Sequence, residues 1–491
     1  SAVVNATSRE SESTSSHYRG FPSGEYHSPN YAAEIKDKPS KSQSTSRLAG
    51  FLFLANYTWN DIYLADVSVR FDGSSEFGLD QKWAPFWSFG AGVNLHNYAF
   101  LHGSKVINRM KFRASYGQTG KVNFPSYSAR TVYRTFDRWY IAGFGVGLKA
   151  LGNRDLKWET TNKLNVGTDM EFWNSRISLI FDYYYNKTVD LITDVSLPAS
   201  AGFTSYKDNL GETLNKGFDI QVRFDVYKDK DWNVSLWGNL NHNRNEILKI
   251  SDALRAYNQR VNEKYEAAEN AQGNVHLSEW GSEYSEPEMK YEEGASLTSI
   301  FAIRSLGIDP MTGNELFLYR DGSVSSLWKA TETVRVGDEE PKASGSFGVN
   351  LTYKNLTLFA SFAYDWGKQT YNQTLVDGVE NADIENSNVD RRVLTQRWQK
   401  PGDIAPLRNI KDMNTSTMPT SRFVQDDNEL SLSALTLSYD FNTDWLKKIR
   451  LKMLRLELST NDLFRASTVR QERGTSYPFA RTFNFSLRAT F

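Results

Sequence analysis

Alternation of apolar and polar residues with a period of two is the feature that most restricts the fold of this sequence. In YLADVSVRF, Tyr63, Val67 and Phe71 fall on one side of a strand. Asp66 and Arg70 fall on the other side, because successive side chains of a strand point to opposite faces. Roughly fourteen such segments of about ten residues occur, the length of a tilted strand that crosses a membrane. The sequence therefore predicts an all-β protein with strands longer than those of most soluble sandwiches.

The segments between the predicted strands alternate in length. WNSR at 173–176, KDKD at 228–231 and YKN at 353–355 are short enough for hairpin turns. Long polar links are predicted near 118–160, 247–296, 367–390 and 461–478. Transmembrane barrels have this asymmetry, because periplasmic turns only reverse the chain while outer loops carry recognition. A propeller or a tandem sandwich would have short loops at both ends. The one segment with good helical spacing is 251–271.

Aromatic residues make up 14% of the chain and lie near the ends of several strand segments. Tyr364 and Trp366 close one segment, Trp232 and Trp237 flank a turn, and a run of three tyrosines occupies 183–185. Such amphipathic rings suit the boundary between hydrocarbon and water. A soluble β protein with an aromatic core is the alternative. It is disfavoured because the opposite strand faces carry charged and amide side chains that would crowd a dry core.

Composition and motifs exclude several classes of function. The 57 basic and 58 acidic residues nearly balance, so nucleic acid is not an expected partner. The absence of cysteine removes disulfides and thiolate chemistry. The six histidines have no metal-site spacing, no G-x-S-x-G motif occurs, and GFGVG at 143–147 lacks the lysine of a phosphate-binding loop. We therefore predict no catalytic residues, no cofactor and no metal site, and interpret the acidic stretch 279–294 as a solvated outer loop rather than a cation site.

Eight segments of the sequence resemble, in order, the C-terminal barrel of SusC/RagA-like TonB-dependent outer-membrane transporters. The match runs from about residue 48 to the end of the sequence, and no single segment would suffice for it. The segments are VRFDGSSEFG (69–78), KFRASYGQTG (111–120), NRDLKWETTNKLNVGTDMEF (153–172), DYYYNKTVDLITDVSLPASAGFTSYKDNLGETLNKGFDIQV (182–222), SLGIDPMTGNELF (305–317), PTSRFVQDDNELSLSALTLSYDF (419–441), LSTNDLF (458–464) and YPFARTFNFSLRATF (477–491).

The resemblance implies a transmembrane antiparallel β-barrel of about 22 strands with an N-terminal plug inside it, of which this chain would supply the C-terminal part, about fourteen strands. No plug-like region is recognised before residue 48, so the plug domain is expected not to lie in this chain. Residues 1–47 are interpreted as a polar extracellular loop or linker region. A partner chain with the plug and the remaining strands is then expected, because an open sheet in a bilayer leaves backbone groups unpaired.

The resemblance further implies active import of oligosaccharides or peptides across the outer membrane of a Gram-negative bacterium. The TonB complex would drive this import, and a SusD-like surface lipoprotein would assist it; a dimer of transporter–lipoprotein pairs is a further expectation. Glycan and peptide importers share the barrel signature, so both cargo classes stay open. Two alternative functions also stay open, a siderophore-type TonB-dependent receptor and a glycan-binding β protein without transport.

Aromatic residues of the predicted outer loops are candidate substrate contacts, because a ring offers a large contact area at a low entropic cost. They are Trp139, Tyr140, Trp280, Tyr284 and Tyr291. Packing between loops or under a lid is an equally good interpretation. The last strand, TFNFSLRATF, resembles the aromatic signal that barrel-assembly machinery recognises, and this role falls on Phe483, Phe485 and Phe491.

Polar strand faces are predicted to line the channel or to contact the plug. The residues predicted to lie on this face are Asp169, Glu171, Asp219, Arg223 and Asp225. Ordinary solvated side chains are the alternative interpretation.

Overall fold

One large antiparallel sheet organises the chain in the computed structural model. Its strands are β1 (Ala2–Ser15), β2 (Ser40–Trp59), β3 (Tyr63–Ser74), β4 (Trp83–Asn94), β5 (Ile107–Lys121), β6 (Glu159–Phe172), β7 (Ile177–Val189), β8 (Glu212–Lys228), β9 (Trp232–Lys249), β10 (Ala343–Tyr353), β11 (Leu356–Tyr371), β12 (Val424–Phe441), β13 (Met453–Thr460) and β14 (Phe483–Thr490). Each pairs with its neighbours in this order, and the short strand Arg465–Ser467 also pairs with β12. The all-β fold and the number of long strands are as predicted.

The structure describes most but not all of the chain. The described residues are 1–22, 24, 28–37, 39–77, 82–121, 129–136, 145–150, 152–153, 156–196, 205–209, 211–271, 284–382, 384, 388–409, 416–441, 446, 451–470 and 481–490.

The two faces of the sheet differ as the alternation predicts. Across β2, β3 and β4, the paired residues Phe53, Val69 and Trp87 form an apolar row, and each is more than 40% exposed. The same face reaches β14, where Phe485 lies opposite Leu458 and is 70% exposed. So wide an exposed apolar surface is not covered by any second layer among the described residues, and it suits the lipid-facing side of a barrel.

Aromatic side chains border this apolar face at both ends. Near the short turns, the rings of Trp59 and Tyr63 stack at 5.6 Å and those of Trp232 and Tyr353 lie 4.3 Å apart. Near the opposite end, Trp366 on β11 is 63% exposed. Ten residues separate the first residue of β11 from Trp366, or about 33 Å along the strand, which a tilt of roughly 40° reduces to the ~25 Å height of an apolar barrel band.

The tight turns and the longest connections lie at opposite ends of the sheet. Residues 60–62, 173–176, 229–231 and 354–355 reverse the chain in tight turns, with 95–106 and 442–452 at the same end. Asn60, Asp61 and Lys354 adopt the positive φ values that hairpin turns require. The connections at the other end are 16–39, 75–82, 122–158, 190–211, 250–342, 372–423 and 461–482. The structure thus has the predicted asymmetry.

The long connections contain secondary structure of their own. The predicted helix is present as α1 (Asp252–Ala271). Small antiparallel sheets pair Ser299–Ala302 with Val334–Asp338, and join Arg304–Ile308, Glu315–Leu318 and Val324–Ser325. Hairpins pair Val132–Phe136 with Gly145–Ala150, Ile192–Ser196 with Ser205–Asn209, and Tyr18–Arg19 with Glu34–Ile35. Short helical turns cover Pro29–Tyr31, Leu95–Asn97, Ala330–Glu332, Gln373–Leu375, Val376–Glu380, Arg392–Thr395 and Ser421–Phe423. No helix among the described residues is long and apolar enough to span a bilayer.

Three sequence predictions differ from the structure. Much of 1–47 is strand rather than loop or linker, since β1 pairs with residues 40–53 of β2; its Ser, Thr and Glu residues leave no apolar face to reveal a strand. The connections 250–342 and 372–423 exceed the predicted 247–296 and 367–390, because their small strands share the period of barrel strands. Tyr184 and Trp237 lie on the polar face instead of the aromatic border: the Tyr184 hydroxyl donates to Asn243 at 3.0 Å, and Trp237 lies opposite Arg223.

Candidate functional site

Charged side chains are paired on the polar face of β5 to β7. Arg113 donates to Asp182 at 2.7 Å and to Asp169 at 3.3 Å, and Arg109 lies 3.6 Å from both Asp169 and Glu171. Asp169 and Glu171, predicted to line the channel, thus form ion pairs with their own wall. Such half-exposed pairs fix side-chain positions more than they stabilise the fold.

Amide and hydroxyl groups predominate in the next sector of the polar face, which also includes a few charged side chains. Within it, the predicted channel residue Asp219 accepts a hydrogen bond from Asn241, and Arg223 pairs with Asp225 at 3.2 Å. The neutral residues of β9 to β11 on this face are Asn233, Ser235, Asn239, Asn241, Asn243, Asn245, Ser344, Ser346, Asn350, Thr352, Thr357 and Ser361. A wall of this kind offers hydrogen-bond donors and acceptors without a strong field.

The two largest connections pack together into one unit, which we call the loop body: the described residues of 252–341 and 372–423. Ile303 and Thr420 form a parallel bridge between the two connections. The indole N–H of Trp328 donates to the carbonyl oxygen of Pro419 at 3.0 Å. The apolar core of the loop body comprises Val261, Tyr265, Ile303, Phe317, Tyr319, Trp328, Ala330 and Met418. These loops therefore bury a core of their own.

Glu340 attaches the loop body to the polar face of the sheet. One of its carboxylate oxygens accepts from the side chain of Asn243, and the other accepts from the backbone N–H of Asn245 at 2.8 Å. The side chain of Asn245 in turn accepts from the backbone N–H of Leu297 at 2.8 Å. The loop body thus lies against the polar face at the long-loop end of β9.

A buried ion-pair network holds the two connections of the loop body together. Arg422 donates to Glu315 at 2.8 Å and to Glu380 at 2.6 Å. The side chains of Glu315 and Glu380 are 6% and 0% exposed, and Thr420 donates to Glu315 at 2.6 Å. Burial alone would lower the pKa of Arg422, but Glu315 and Glu380 raise it above its ordinary value. Sequence reasoning missed this pair, although Glu315 and Arg422 lie within two of the segments that carry the family resemblance.

Tyr284 and Tyr291, two of the predicted substrate contacts, pack against helix α1. The amine of Lys264 lies 5.3 Å from the ring centroid of Tyr284. The ring of Tyr291 meets that of Tyr257 edge-on at 5.5 Å, and its backbone exchanges hydrogen bonds of 2.7 and 2.8 Å with the side chain of Asn258. Both rings keep part of their surface accessible. Loop packing thus accounts for much of their surface, while their remaining area stays available to a ligand.

Lys290 is buried in the loop body beside neutral acceptors. Its amine donates to the side chains of Asn262 and Thr333 and to the carbonyl oxygen of Ala330. No carboxylate among the described residues pairs with it. Burial, together with the nearby charge of Arg320, lowers the pKa of Lys290 from 10.5 to about 8. Nothing in the sequence pattern had marked this lysine.

The other predicted site residues fall into two groups. Trp139, Tyr140, Trp280 and Phe491 lie outside the described residues. Phe483 and Phe485 lie on β14, are 60% and 70% exposed, and point to the apolar face, as the alternation predicts. Among the described residues, no cluster of three or more His, Cys, Asp or Glu side chains is arranged to hold a metal ion.

Comparison with known proteins places the sheet in a family. The sequence profile described as "TonB dependent receptor-like, beta-barrel" matches residues 6–292. The chain is 29% identical to TonB-dependent receptor P3 of Formosa agariphila over 441 residues, which cover 87% of this chain and 42% of the receptor. It is 31% identical to TonB-dependent receptor SusC of Bacteroides thetaiotaomicron over 252 residues, 48% of this chain and 24% of SusC.

Solved structures show the same fold. The RagAB peptide transporter superposes with a TM-score of 0.79 at 24% identity, over 95% of this chain and 50% of the matched chain. The 'open-open' state of the RagAB peptide importer gives a TM-score of 0.80 at 22% identity, over 100% of this chain and 52% of the matched chain. The chain spans about half the length of the proteins it matches. With the resemblance to such a barrel confirmed, the chain belongs to the TonB-dependent receptor-like β-barrel family.

Proposed function

We propose that the chain forms part of the barrel wall of a SusC-like active importer in the outer membrane of a Gram-negative bacterium. The observation that carries this proposal is the sheet itself. From β2 to β14, one face of the sheet is largely apolar and exposed and the other is largely polar, and the longest connections lie at one end. An enclosed polar wall with recognition loops at one mouth suits passage of a polar solute through a bilayer.

The two edges of the sheet support a wall completed by further strands. Among the described residues, β1 and β14 each pair with one neighbour and not with each other. Unpaired backbone groups in hydrocarbon cost several kcal/mol each. The part of the transporter that this chain does not cover would supply the closing strands and the plug.

The proposed site of cargo capture is the long-loop end of the barrel. The proposed cargo is an oligosaccharide or a peptide, and the proposed partner at this mouth is a SusD-like lipoprotein. The accessible parts of Tyr284 and Tyr291 and the loop aromatics Trp139, Tyr140 and Trp280 are proposed cargo contacts, since rings bind sugar faces and peptide side chains alike. The neutral polar wall below would let either cargo pass without strong binding.

Uptake by cells that produce the complete transporter tests this proposal. Labelled oligosaccharides and oligopeptides should accumulate, and accumulation should stop when TonB or the proton-motive force is removed. The purified protein should need detergent and should migrate differently on a gel before and after boiling. A protein that stays soluble without detergent and binds glycans without any uptake would instead be a glycan-binding β protein.

Assembly tests the proposed signal in the last strand. Deletion of Phe491 should lower the amount of barrel in the outer membrane, with the heat-dependent gel shift as the measure. Substitution of Asn484, on the polar face of β14, by Gln is the control. Equal membrane levels of the deletion and the control would remove the assembly role from Phe491.

A further inference from the structure

A cleft lies between the two connections of the loop body. It has a volume of about 280 Å³ and is lined by residues 286–289 and 297–301, by Glu339, and by Tyr371 and Gln373. We call it the Glu339 cleft. Apolar side chains form much of its walls, those of Pro287, Met289, Leu297, Ile300 and Phe301.

Two carboxylates of the cleft lack a cation of their own. Glu286 and Glu339 are accessible to solvent. Neither side chain forms a hydrogen bond or an ion pair with any residue that the structure describes. The third carboxylate of the lining, that of Glu288, is paired with Lys264 at 2.6 Å. The cleft therefore carries negative charge that the described residues around it do not match.

Mutual repulsion indicates that these carboxylates act on one small volume. Partial burial raises the pKa of Glu339 above its ordinary value, and the charge of Glu286 raises it further. The same two causes raise the pKa of Asp377, which lies beside the cleft. Lys368 opposes the shift of the pKa of Glu339, but this lysine is itself paired with Asp427 at 3.2 Å. A cation bound in the cleft would relieve the repulsion.

Two buried oxygens of the lining have no hydrogen-bond partner. They are Oε1 of Gln373 and the hydroxyl oxygen of Tyr371, and no group in the described part of the chain bonds to either. The amide nitrogen of Gln373 donates to Asp377 and to Ser285, both at 2.8 Å, so its carbonyl oxygen is the atom left over. Because a buried acceptor without a partner is costly, these atoms indicate that a hydrogen-bond donor enters the cleft.

The chemistry of the lining favours an organic ammonium group. An ammonium on an aliphatic stem offers a positive charge, three N–H donors and an apolar surface together. A metal ion is disfavoured, because no group of three or more acidic or histidine side chains among the described residues is arranged to hold one. A neutral sugar would satisfy the buried oxygens but would leave the charge unmatched.

We propose that the Glu339 cleft binds the ammonium group of a peptide cargo, with Glu286 and Glu339 as its charge partners and the aliphatic stem against the apolar walls. This proposal rests on the proposed function and selects the peptide from its two cargo classes. The ammonium belongs to a lysine side chain or to a free N-terminus. Glu286, within the acidic stretch 279–294, did not mark this site in the sequence, because Glu339 and Gln373 come from distant parts of the chain.

Peptide binding to the purified complete transporter tests the proposal. The probe is the pentapeptide Ala-Ala-Lys-Ala-Ala, acetylated at its N-terminus and amidated at its C-terminus, and isothermal titration calorimetry measures its dissociation constant. A blocked peptide with norleucine in place of lysine keeps an aliphatic stem without the charge. A third peptide, with norleucine and a free N-terminus, separates the two sources of the ammonium. At least one of the two ammonium peptides should bind about tenfold more tightly than the blocked norleucine peptide.

Variants of the transporter locate the binding. Glu339→Gln and Glu286→Gln keep the side-chain shape and remove one charge each. Each should weaken binding of the ammonium peptide about tenfold, the lower end for a hydrogen bond to a charged group, because both carboxylates are accessible. Binding of the blocked norleucine peptide should not change. Glu263→Gln, an exposed position of α1 outside the lining, is the matched control for the change of charge, and the heat-dependent gel shift verifies that each variant assembles.

The outcomes separate this proposal from the proposed function. If neither ammonium peptide binds more tightly than the blocked norleucine peptide, while the transporter imports cargo with TonB, the cleft is no ammonium site and the importer stands. Equal losses of binding in Glu339→Gln and Glu263→Gln likewise refute the cleft. Tight binding of the peptide with a free N-terminus, lost in Glu339→Gln, supports the proposal and assigns the ammonium to the N-terminus. A protein that forms no detergent-dependent barrel and imports nothing overturns the proposed function and this proposal with it.

Discussion

Replacement of Arg422 by Met should open the loop body. Arg422 donates to both Glu315 and Glu380, and the other nitrogen of its guanidinium donates to the carbonyl oxygen of Pro406 at 2.6 Å. Methionine keeps much of the side-chain volume but removes every one of these bonds. Glu315 would keep its hydrogen bond from Thr420. Glu380 would keep a weak hydrogen bond from Thr417 at 3.4 Å and its ion pair with Arg408 at 3.7 Å.

The expected loss follows from the burial of the two carboxylates. Removal of one partner from a buried ion pair leaves an uncompensated charge and typically costs about 3–5 kcal/mol. Side-chain exposures of 6% for Glu315 and 0% for Glu380 place this pair in that class. The ion pair between Arg19 and Glu34 is the matched control, because its side chains are 61% and 55% exposed and such pairs contribute about 0–1 kcal/mol.

Hydrogen exchange measures this loss where it occurs. In Arg422→Met, amides of 303–305 and 420–423 should exchange roughly 150-fold to 5000-fold faster, the factor that about 3–5 kcal/mol gives. Arg19→Met should leave these amides unchanged. Glu315→Gln, added to Arg422→Met, should restore part of the protection because it removes the charge of the carboxylate that has lost its cation. Protection in Arg422→Met equal to that in the Arg19→Met control would refute the view that the network locks the two connections.

Three further predictions concern other parts of the chain. Because the pKa of Lys290 is lower in the folded state, the unfolded state binds the proton more strongly between about pH 8 and 10.5, and the loop body gains stability as pH rises through this range. Urea titrations should show a gain of up to about 3 kcal/mol in the free energy of unfolding. This gain should be absent from Lys290→Met. Tyr265→Phe should cost about 1–3 kcal/mol in local stability and speed exchange of the Glu288 amide, because the lost hydroxyl donates to the Glu286 carbonyl at 2.7 Å and accepts from that amide at 3.0 Å. Phe485→Arg should lower the free energy of unfolding in lipid vesicles by about 2–4 kcal/mol if the site lies near the bilayer centre, and by less nearer the interface. Asn484→Arg, on the opposite face, should cost little. Equal effects of the two substitutions would contradict the assignment of faces.

The sheet could be predicted because the alternation of side chains within each strand also determines which face of the whole sheet each residue occupies. A residue such as Val69 is apolar because its face meets lipid, and the register carries the same requirement to Phe53 and Trp87 on the neighbouring strands. The period of two therefore fixes strand, face and partner at once. The rule failed in β1, where residues 8–15 contain no apolar side chain to show a period.

The loop body could be predicted only in part. Helix α1 was recognisable because Leu254, Val261 and Tyr265 repeat at helical spacing, and these residues are buried at 4%, 6% and 2% exposure. The contact between Glu315 and Arg422 spans 107 positions and follows no period. Both residues were inside segments that carry the family resemblance, but a resemblance of segments does not say which segments touch.

The wall and the loop body meet different physical demands, and this difference separates their effects on function. In the wall, neighbouring strands pair the backbone N–H and C=O groups of the sheet, and lipid covers its apolar face. The stability of the wall therefore depends on strand register and on closure of the sheet. The loop body stands in water, where connections of this length would be too costly to order without a buried core and paired charges. Changes at Arg422 or Lys290 should therefore alter the long-loop end, while the barrel should still change its gel mobility on heating. The two regions join through Glu340, which accepts from Asn243 and Asn245, and through backbone hydrogen bonds of Ile247 with Gly294 and Ala295. Loss of the Glu340 bonds should therefore loosen this junction while the loop body and the wall both stay intact.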